Sequence, residues 1–134
     1  RPVPMAALLM AEQAPEEIVV TPRSARTKIK FADVNTEYEF LTPFRRTHDR
    51  GNQIEVIHYS LSPRTWGSAT AMLHPEAAEC SVVLQGVLEY HTETDVYRLE
   101  EGDCIYLPAN TPHRLYNPSE QELHAIAMLS PAYF

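Results

Sequence analysis

The chain reads as a single all-β domain, a sandwich or barrel of short strands, and three observations lead there. Segments rich in Val, Ile, Thr and Tyr alternate with turn signals every ~8–12 residues, the rhythm of a sandwich or barrel rather than of βαβ units. Eleven Pro and seven Tyr stand against four Gly, a balance that favours strands and turns over a helical bundle. The 134 residues, 44% hydrophobic and 22% charged, supply one core of ordinary density and leave nothing for a second folded domain.

Residues 1–30 differ from the rest and read as a linker with a short helix. Pro2, Pro4, Pro15 and Pro22 punctuate them, Met5 to Ala11 suits one or two helical turns, and Arg23, Arg26, Lys28 and Lys30 form a basic patch. A solvated patch is expected, with an acidic barrel surface or phosphate as alternative partners. The start at Arg1, without Met, leads us to expect further chain upstream.

The barrel is assigned to residues 31–134. Its first candidate strand is Glu37 to Leu41, ended by Pro43 and the polar loop Thr47-His48-Asp49-Arg50-Gly51-Asn52. Ile54 to Leu61 alternates Ile54, Val56, His58 against Glu55, Ile57, Tyr59, apolar enough to be packed on both faces. Strands are then expected at Gly67 to His74, Glu79 to Gln85, Val87 to Thr92, Val96 to Leu99, Cys104 to Leu107, His113 to Tyr116 and Glu122 to Leu129, each bounded by Pro, Gly, Asn or Asp.

Charge narrows the function classes. A net charge of −7 argues against this segment gripping nucleic-acid phosphates, which takes a basic stripe, so any DNA contact belongs to another segment. Met5 to Ala11 has neither the length nor the flanks of a signal peptide, and no apolar run nears the ~20 residues of a membrane span. A cytoplasmic protein is the expectation. Cys80 and Cys104 read as reduced thiols in the core. No nucleophile elbow or Gly-rich phosphate loop is present, which leaves hydrolase and nucleotide readings without support.

The chemistry-bearing residues fall in two fragments, His74-Pro75-Glu76-Ala77-Ala78-Glu79 ending at Gly86, and Gly102-Asp103 running through Pro108 to His113 and Asn117. Strand parity turns Thr70, Met72 and His74 the same way, and Pro75 ends that strand because it has no N–H to give a ladder. A hairpin then brings Glu79 opposite, and His113 arrives from a third strand. Two imidazoles and a carboxylate meeting this way leave open positions on a divalent ion.

Met72-x-His74-x4-Glu79-x6-Gly86 and Gly102-x5-Pro108-x-Asn110-x2-His113-x3-Asn117 resemble the first and second cupin motifs. The resemblance implies a cupin-type double-stranded β-helix, or jelly-roll barrel, with His74, Glu79 and His113 as ligands of one divalent ion, Fe, Mn, Ni or Zn. Met72 stands where cupins place a further His, and Asn110 where the second motif has Gly, an exchange that Asn tolerates at positive φ. The tail Leu129-Ser130-Pro131-Ala132-Tyr133-Phe134, the segment Tyr38 to Pro43, and Tyr97-Arg98-Leu99-x2-Gly102-Asp103 are together similar to the C-terminal cupin half of XRE-type helix-turn-helix regulators, over about residues 15–134. That implies a small-molecule sensor and homodimerisation module, touching DNA only through an upstream domain. A mononuclear metal-dependent dioxygenase, isomerase or lyase is the alternative, and a structural barrel with a vestigial site a third.

Around the three ligands, Met72, Thr70, Tyr90, Tyr106 and Tyr116 are the candidate ligand pocket, the tyrosines offering a ring and a hydroxyl to a small molecule. Equally, these tyrosines cover barrel ends or a dimer contact. Tyr106 and Tyr116 are the guesses for a proton donor should the chain be an enzyme. His58 and His124 read as satisfied strand histidines, His48 as solvated, Trp66 as packing, and Glu100, Glu101 and Asp103 as turn residues around Gly102.

Overall fold

The computed structural model describes residues 17–44 and 53–134. The Met5 to Ala11 helix, the loop 47–52 and His48 lie outside these residues. Ten strands follow a short 3-10 helix at Arg23–Ala25: β1 Thr27–Ile29, β2 Glu37–Phe40, β3 Glu55–Leu61, β4 Thr65–Trp66, β5 Ala78–Gln85, β6 Leu88–His91, β7 Val96–Leu99, β8 Cys104–Leu107, β9 Arg114–Asn117 and β10 Leu123–Ser130. They form a six-stranded sheet, β1-β2-β3-β10-β5-β8, and a four-stranded sheet, β4-β9-β6-β7, antiparallel throughout.

Period-two alternation decides what faces inward. On β3 the buried residues are Glu55, Ile57, Tyr59 and Leu61; on β10, Leu123, Ala125, Ala127 and Leu129; on β5, Glu79, Ser81 and Val83. The expectation that β3 is packed on both faces is corrected: Val56, His58 and Ser60 form a half-exposed outer face. Leu88, Tyr90, Leu99 and Leu115 meet this core from the smaller sheet.

Two further differences have local causes. Thr27–Ile29, within the segment read as a linker, pairs with Tyr38–Phe40, and Arg26 and Lys28 reach Glu39 at 3.2 and 3.4 Å. The sheet therefore begins before residue 31. Gly67 to His74 is not a strand: it makes only the isolated bridges Val34↔Ser68 and Met72↔His113. Its polar groups are satisfied singly instead, Ser68 Oγ donating to the Thr70 carbonyl at 2.6 Å and the Arg114 guanidinium to the Ser68 carbonyl at 2.9 Å. With no ladder, parity does not operate there, and Thr70 turns outward.

The cysteines also differ from expectation. Cys80 is half-buried and Cys104 exposed, both on the outer face of the larger sheet and both free. The Glu100 to Asp103 turn is structural as expected: Asp103 Oδ2 accepts from the Glu100 amide at 2.9 Å, and Gly102 sits at φ +86°.

Candidate metal centre

Each of the three candidate ligand residues is placed by a different device. Glu79 is the first inward residue of β5. His74 lies in the loop before it, its carbonyl accepting from the amides of Ala77 at 3.4 Å and Asn110 at 3.2 Å. Asn110 adopts φ 62°, the left-handed turn that its place in the second motif demands. His113 precedes β9 and is tied to Met72 by two hydrogen bonds, Met72 N to His113 O at 2.7 Å and His113 N to Met72 O at 2.9 Å. The first and second motifs thus meet edge to edge at Met72 and His113.

The ligand atoms of His74, Glu79 and His113 lie within 4.8 Å of one another, and all three residues are buried. His74 Nε2 is 3.2 Å from Glu79 Oε1. His113 Nδ1 lies 2.8 Å from the Thr111 carbonyl; it donates there, which leaves Nε2 with its lone pair free. Tyr90 donates to Glu79 Oε2 at 2.8 Å, so that oxygen is held while Oε1 faces the imidazoles. Burial alone would raise Glu79, but the His74 hydrogen bond, the charges of both imidazoles and the Tyr90 hydroxyl outweigh it and hold the carboxyl below its ordinary range. Burial lowers His113, against the pull of the Thr111 carbonyl and Glu79, the direction that favours the neutral form a metal ligand takes. A carboxylate held toward its ionised form beside an imidazole whose lone pair is oriented suits a divalent ion.

Tyr90 belongs to a buried chain of hydroxyls. It is 2.7 Å from Ser81 Oγ and 3.3 Å from the Tyr59 hydroxyl, which donates to Ser81 Oγ at 3.2 Å. Burial pushes the Tyr59 and Tyr90 hydroxyls far above the ordinary phenol value. They stay protonated and act as fixed donors.

A cavity of about 20 Å³ adjoins the three residues, walled also by Tyr38, Met72 and Phe134. That is room for about one water molecule. The Tyr38 hydroxyl approaches Met72 Sδ at 4.0 Å, and burial raises Tyr38 to about 12. Of the five expected pocket residues, Met72 and Tyr90 are here and three are elsewhere. Thr70 is exposed, Tyr106 is 65% exposed on the outer face, and Tyr116 packs against Trp66 at 4.7 Å on the outside of the smaller sheet. The sequence reading missed Tyr38, Tyr59, Ser81, Glu55 and Phe134. Parity from Glu79 points to Ser81, two residues along the same strand; nothing in the sequence places the tail.

His58 and His124 form their own ladder on the outer face, rings stacked at 5.1 Å with His124 Nδ1 3.1 Å from His58 Nε2. Glu39 and Glu122 flank them at 3.6 and 2.7 Å.

A barrel of two antiparallel sheets with two motif histidines and a glutamate gathered inside defines a cupin. The family model for the cupin domain, Cupin_2, matches residues 58–129, and the chain belongs to that family. Among curated proteins it is similar to the alginate biosynthesis protein AlgA of Pseudomonas putida, 31% identical over 85 residues, 63% of this chain. The chain spans only 17% of AlgA's length. Among solved structures, KdgF from Halomonas sp. matches with a TM-score of 0.66 at 17% identity, over 85% of this chain and 95% of that one. The Cupin_2 domain of an XRE family transcriptional regulator from Enterobacter cloacae matches with a TM-score of 0.60 at 18% identity, over 73% and 98%. These likenesses show the shared fold, which serves regulators and enzymes alike.

Proposed function

We propose that this barrel is the ligand-sensing and dimerisation domain of a transcriptional regulator, binding a small molecule at His74, Glu79 and His113 with one divalent ion held by those residues. The observation that carries sensing over turnover is the state of the hydroxyls beside the ligands. Tyr90 is buried, committed to Glu79 and pushed far above neutrality, whereas acid–base catalysis wants a group whose pKa lies near the working pH. Tyr106 and Tyr116, the sequence-based candidates for that role, lie outside the cavity. An ion of the Fe, Mn, Ni or Zn type would supply Lewis acidity toward an oxygen donor of the ligand. Met72, softer than the His it replaces, lines the cavity.

The outer face of the larger sheet suits a dimer. Leu84, Tyr106 and Met128 are 53, 65 and 40% exposed there, and Met128 lies opposite Val56 and Cys80 in register, Ile126 opposite Val82. A sensor passes on its ligand only if the two dimer geometries differ in affinity for it.

The enzyme reading draws on the AlgA match and on the Lewis-acid chemistry such a centre would have. Metal analysis and mass spectrometry separate the two. Protein purified without an affinity metal should carry or take up close to one ion per chain, lost in His113→Ala; failure to take up Fe, Mn, Ni or Zn at all would remove the metal from both readings. A sensor returns a bound ligand unchanged, and conversion of the ligand by the loaded protein overturns sensing in favour of catalysis. If the gene's upstream codons encode helix-turn-helix patterning the regulator reading stands; a frame opening close to Arg1 defeats it.

A further inference from the structure

Three buried hydroxyls lead to one oxygen of Glu79, and each comes from a different strand: Tyr59 from β3, Ser81 from β5 and Tyr90 from β6. The Tyr59 hydroxyl lies 3.2 Å from Ser81 Oγ, Ser81 Oγ 2.7 Å from the Tyr90 hydroxyl, and the Tyr90 hydroxyl 2.8 Å from Glu79 Oε2.

The proton supply fixes the direction of this chain. Each hydroxyl has one proton to give, and a carboxylate oxygen accepts. The Tyr90 proton goes to Glu79, so the 2.7 Å contact takes the proton of Ser81 and the 3.2 Å contact that of Tyr59. Every donor thus points toward Glu79, the arrangement in which each bond polarises and strengthens the next. Tyr90 also lays its ring near that of His113, with centroids 5.6 Å apart. One side chain therefore touches two of the three candidate ligands. Glu79 in turn divides its oxygens, Oε2 to the hydroxyls and Oε1 to His74 at 3.2 Å.

We propose that Tyr59, Ser81 and Tyr90 are positioning residues of the metal centre, and that their chain limits Glu79 to ligation through Oε1 alone. This deepens the metal reading of His74, Glu79 and His113 and rests on it. A carboxylate free at both oxygens swings about its last bond and offers a divalent ion either one oxygen or two. Held at Oε2, it presents one oxygen in one orientation, and a ligand fixed before the ion arrives loses less freedom on binding it. Ser81 and Tyr59 reach Glu79 through Tyr90, by giving its oxygen the donor that leaves its own proton for the carboxylate.

Titration of the metal-free whole chain with Co2+, a spectroscopic stand-in for Zn2+, tests it on wild type, Tyr90→Phe, Ser81→Ala and Val83→Ala. Tyr90→Phe keeps the ring beside His113 and deletes only the hydroxyl. It should bind Co2+ about 10–100-fold more weakly, with the fainter visible absorption of a higher coordination number as Oε2 joins the ion. The strained four-atom ring that a second oxygen of one carboxylate closes offsets little of that loss. Ser81→Ala should move both readings the same way by less, and it keeps the test valid if Tyr90→Phe fails to fold by thermal melt. Val83→Ala opens the core at the next inward position of β5 and removes no hydroxyl; it should melt lower yet bind Co2+ as wild type does, which separates positioning from general loosening. Affinity and spectrum unchanged in the folded hydroxyl variants would overturn the proposal and leave the metal reading standing, as would equal losses in Val83→Ala. A wild type that takes up no Co2+ would remove the metal reading and the proposal with it.

Discussion

Asn117, the last residue of the second motif, is a fully buried knot. Its Nδ2 lies within 3.1 Å of the carbonyls of Leu61, Ser62 and Gln121, and its Oδ1 accepts from the amide and hydroxyl of Ser119 at 3.0 Å. Truncation would strand several buried acceptors, so Asn117→Ala should cost about 2–3 kcal/mol in denaturant unfolding without moving His74, Glu79 or His113. The three candidate tyrosines show where single residues become illegible. Tyr90 lies on the inward face of β6, but Tyr116 is three residues from inward-facing His113 and so on the opposite face. Tyr106 had no such anchor, because β8 is four residues long and only its pairing with Cys80 shows which way it turns.

Turns supply a sharper contrast at the scale of elements. Gly86, between β5 and β6, and Gly102, before β8, share φ +86°, yet a Cβ at Gly86 would sit 3.1 Å from the Glu122 carbonyl oxygen while Gly102 faces open space. Gly86→Ala should therefore lower the melting temperature clearly more than Gly102→Ala, which bears only the backbone strain of about 1 kcal/mol. Equal effects would mean that the β10 end yields to the new methyl. Strands with firm alternation and flanking turns, β3, β5, β7, β8 and β10, were legible to within a residue or two, because local pattern and tertiary burial agree there. Gly67 to His74 was not: its small residues hold their polar groups through Arg114, Leu115 and Asn35, contacts from distant segments that no local pattern announces. Thr27–Ile29 was missed for a similar reason, its pairing resting on Glu39 across the sheet from Arg26 and Lys28.

For the whole molecule, acid should loosen the fold through the outer histidine ladder. Burial and the neighbouring His124, together with Arg26 and Arg23, lower His58 against the opposing pull of Glu39. A base with a depressed folded-state pKa binds its proton more readily unfolded, so stability is full above the unfolded value of about 6.5 and falls as pH drops through it, levelling below the folded value. His58→Gln should flatten that part of the melting profile between about pH 7 and 5; an unchanged slope would assign the loss to His113. The same face carries the proposed dimer contact, and Met128→Lys should leave the melting temperature nearly unchanged while shifting the mass measured by light scattering to that of a monomer. A dimer that survives the substitution would place the contact elsewhere.

The paired amides of Met72 and His113 have a dynamic consequence. Those two hydrogen bonds close the segment before His74 onto the segment that carries His113, so a fluctuation that breaks them also parts His74 from His113. Hydrogen exchange at the two amides should then proceed as one cooperative opening, slowed in equal proportion by whatever ion or ligand bridges the imidazoles. Two backbone protons thus serve as a built-in gauge of occupancy, legible without a substrate or a known effector.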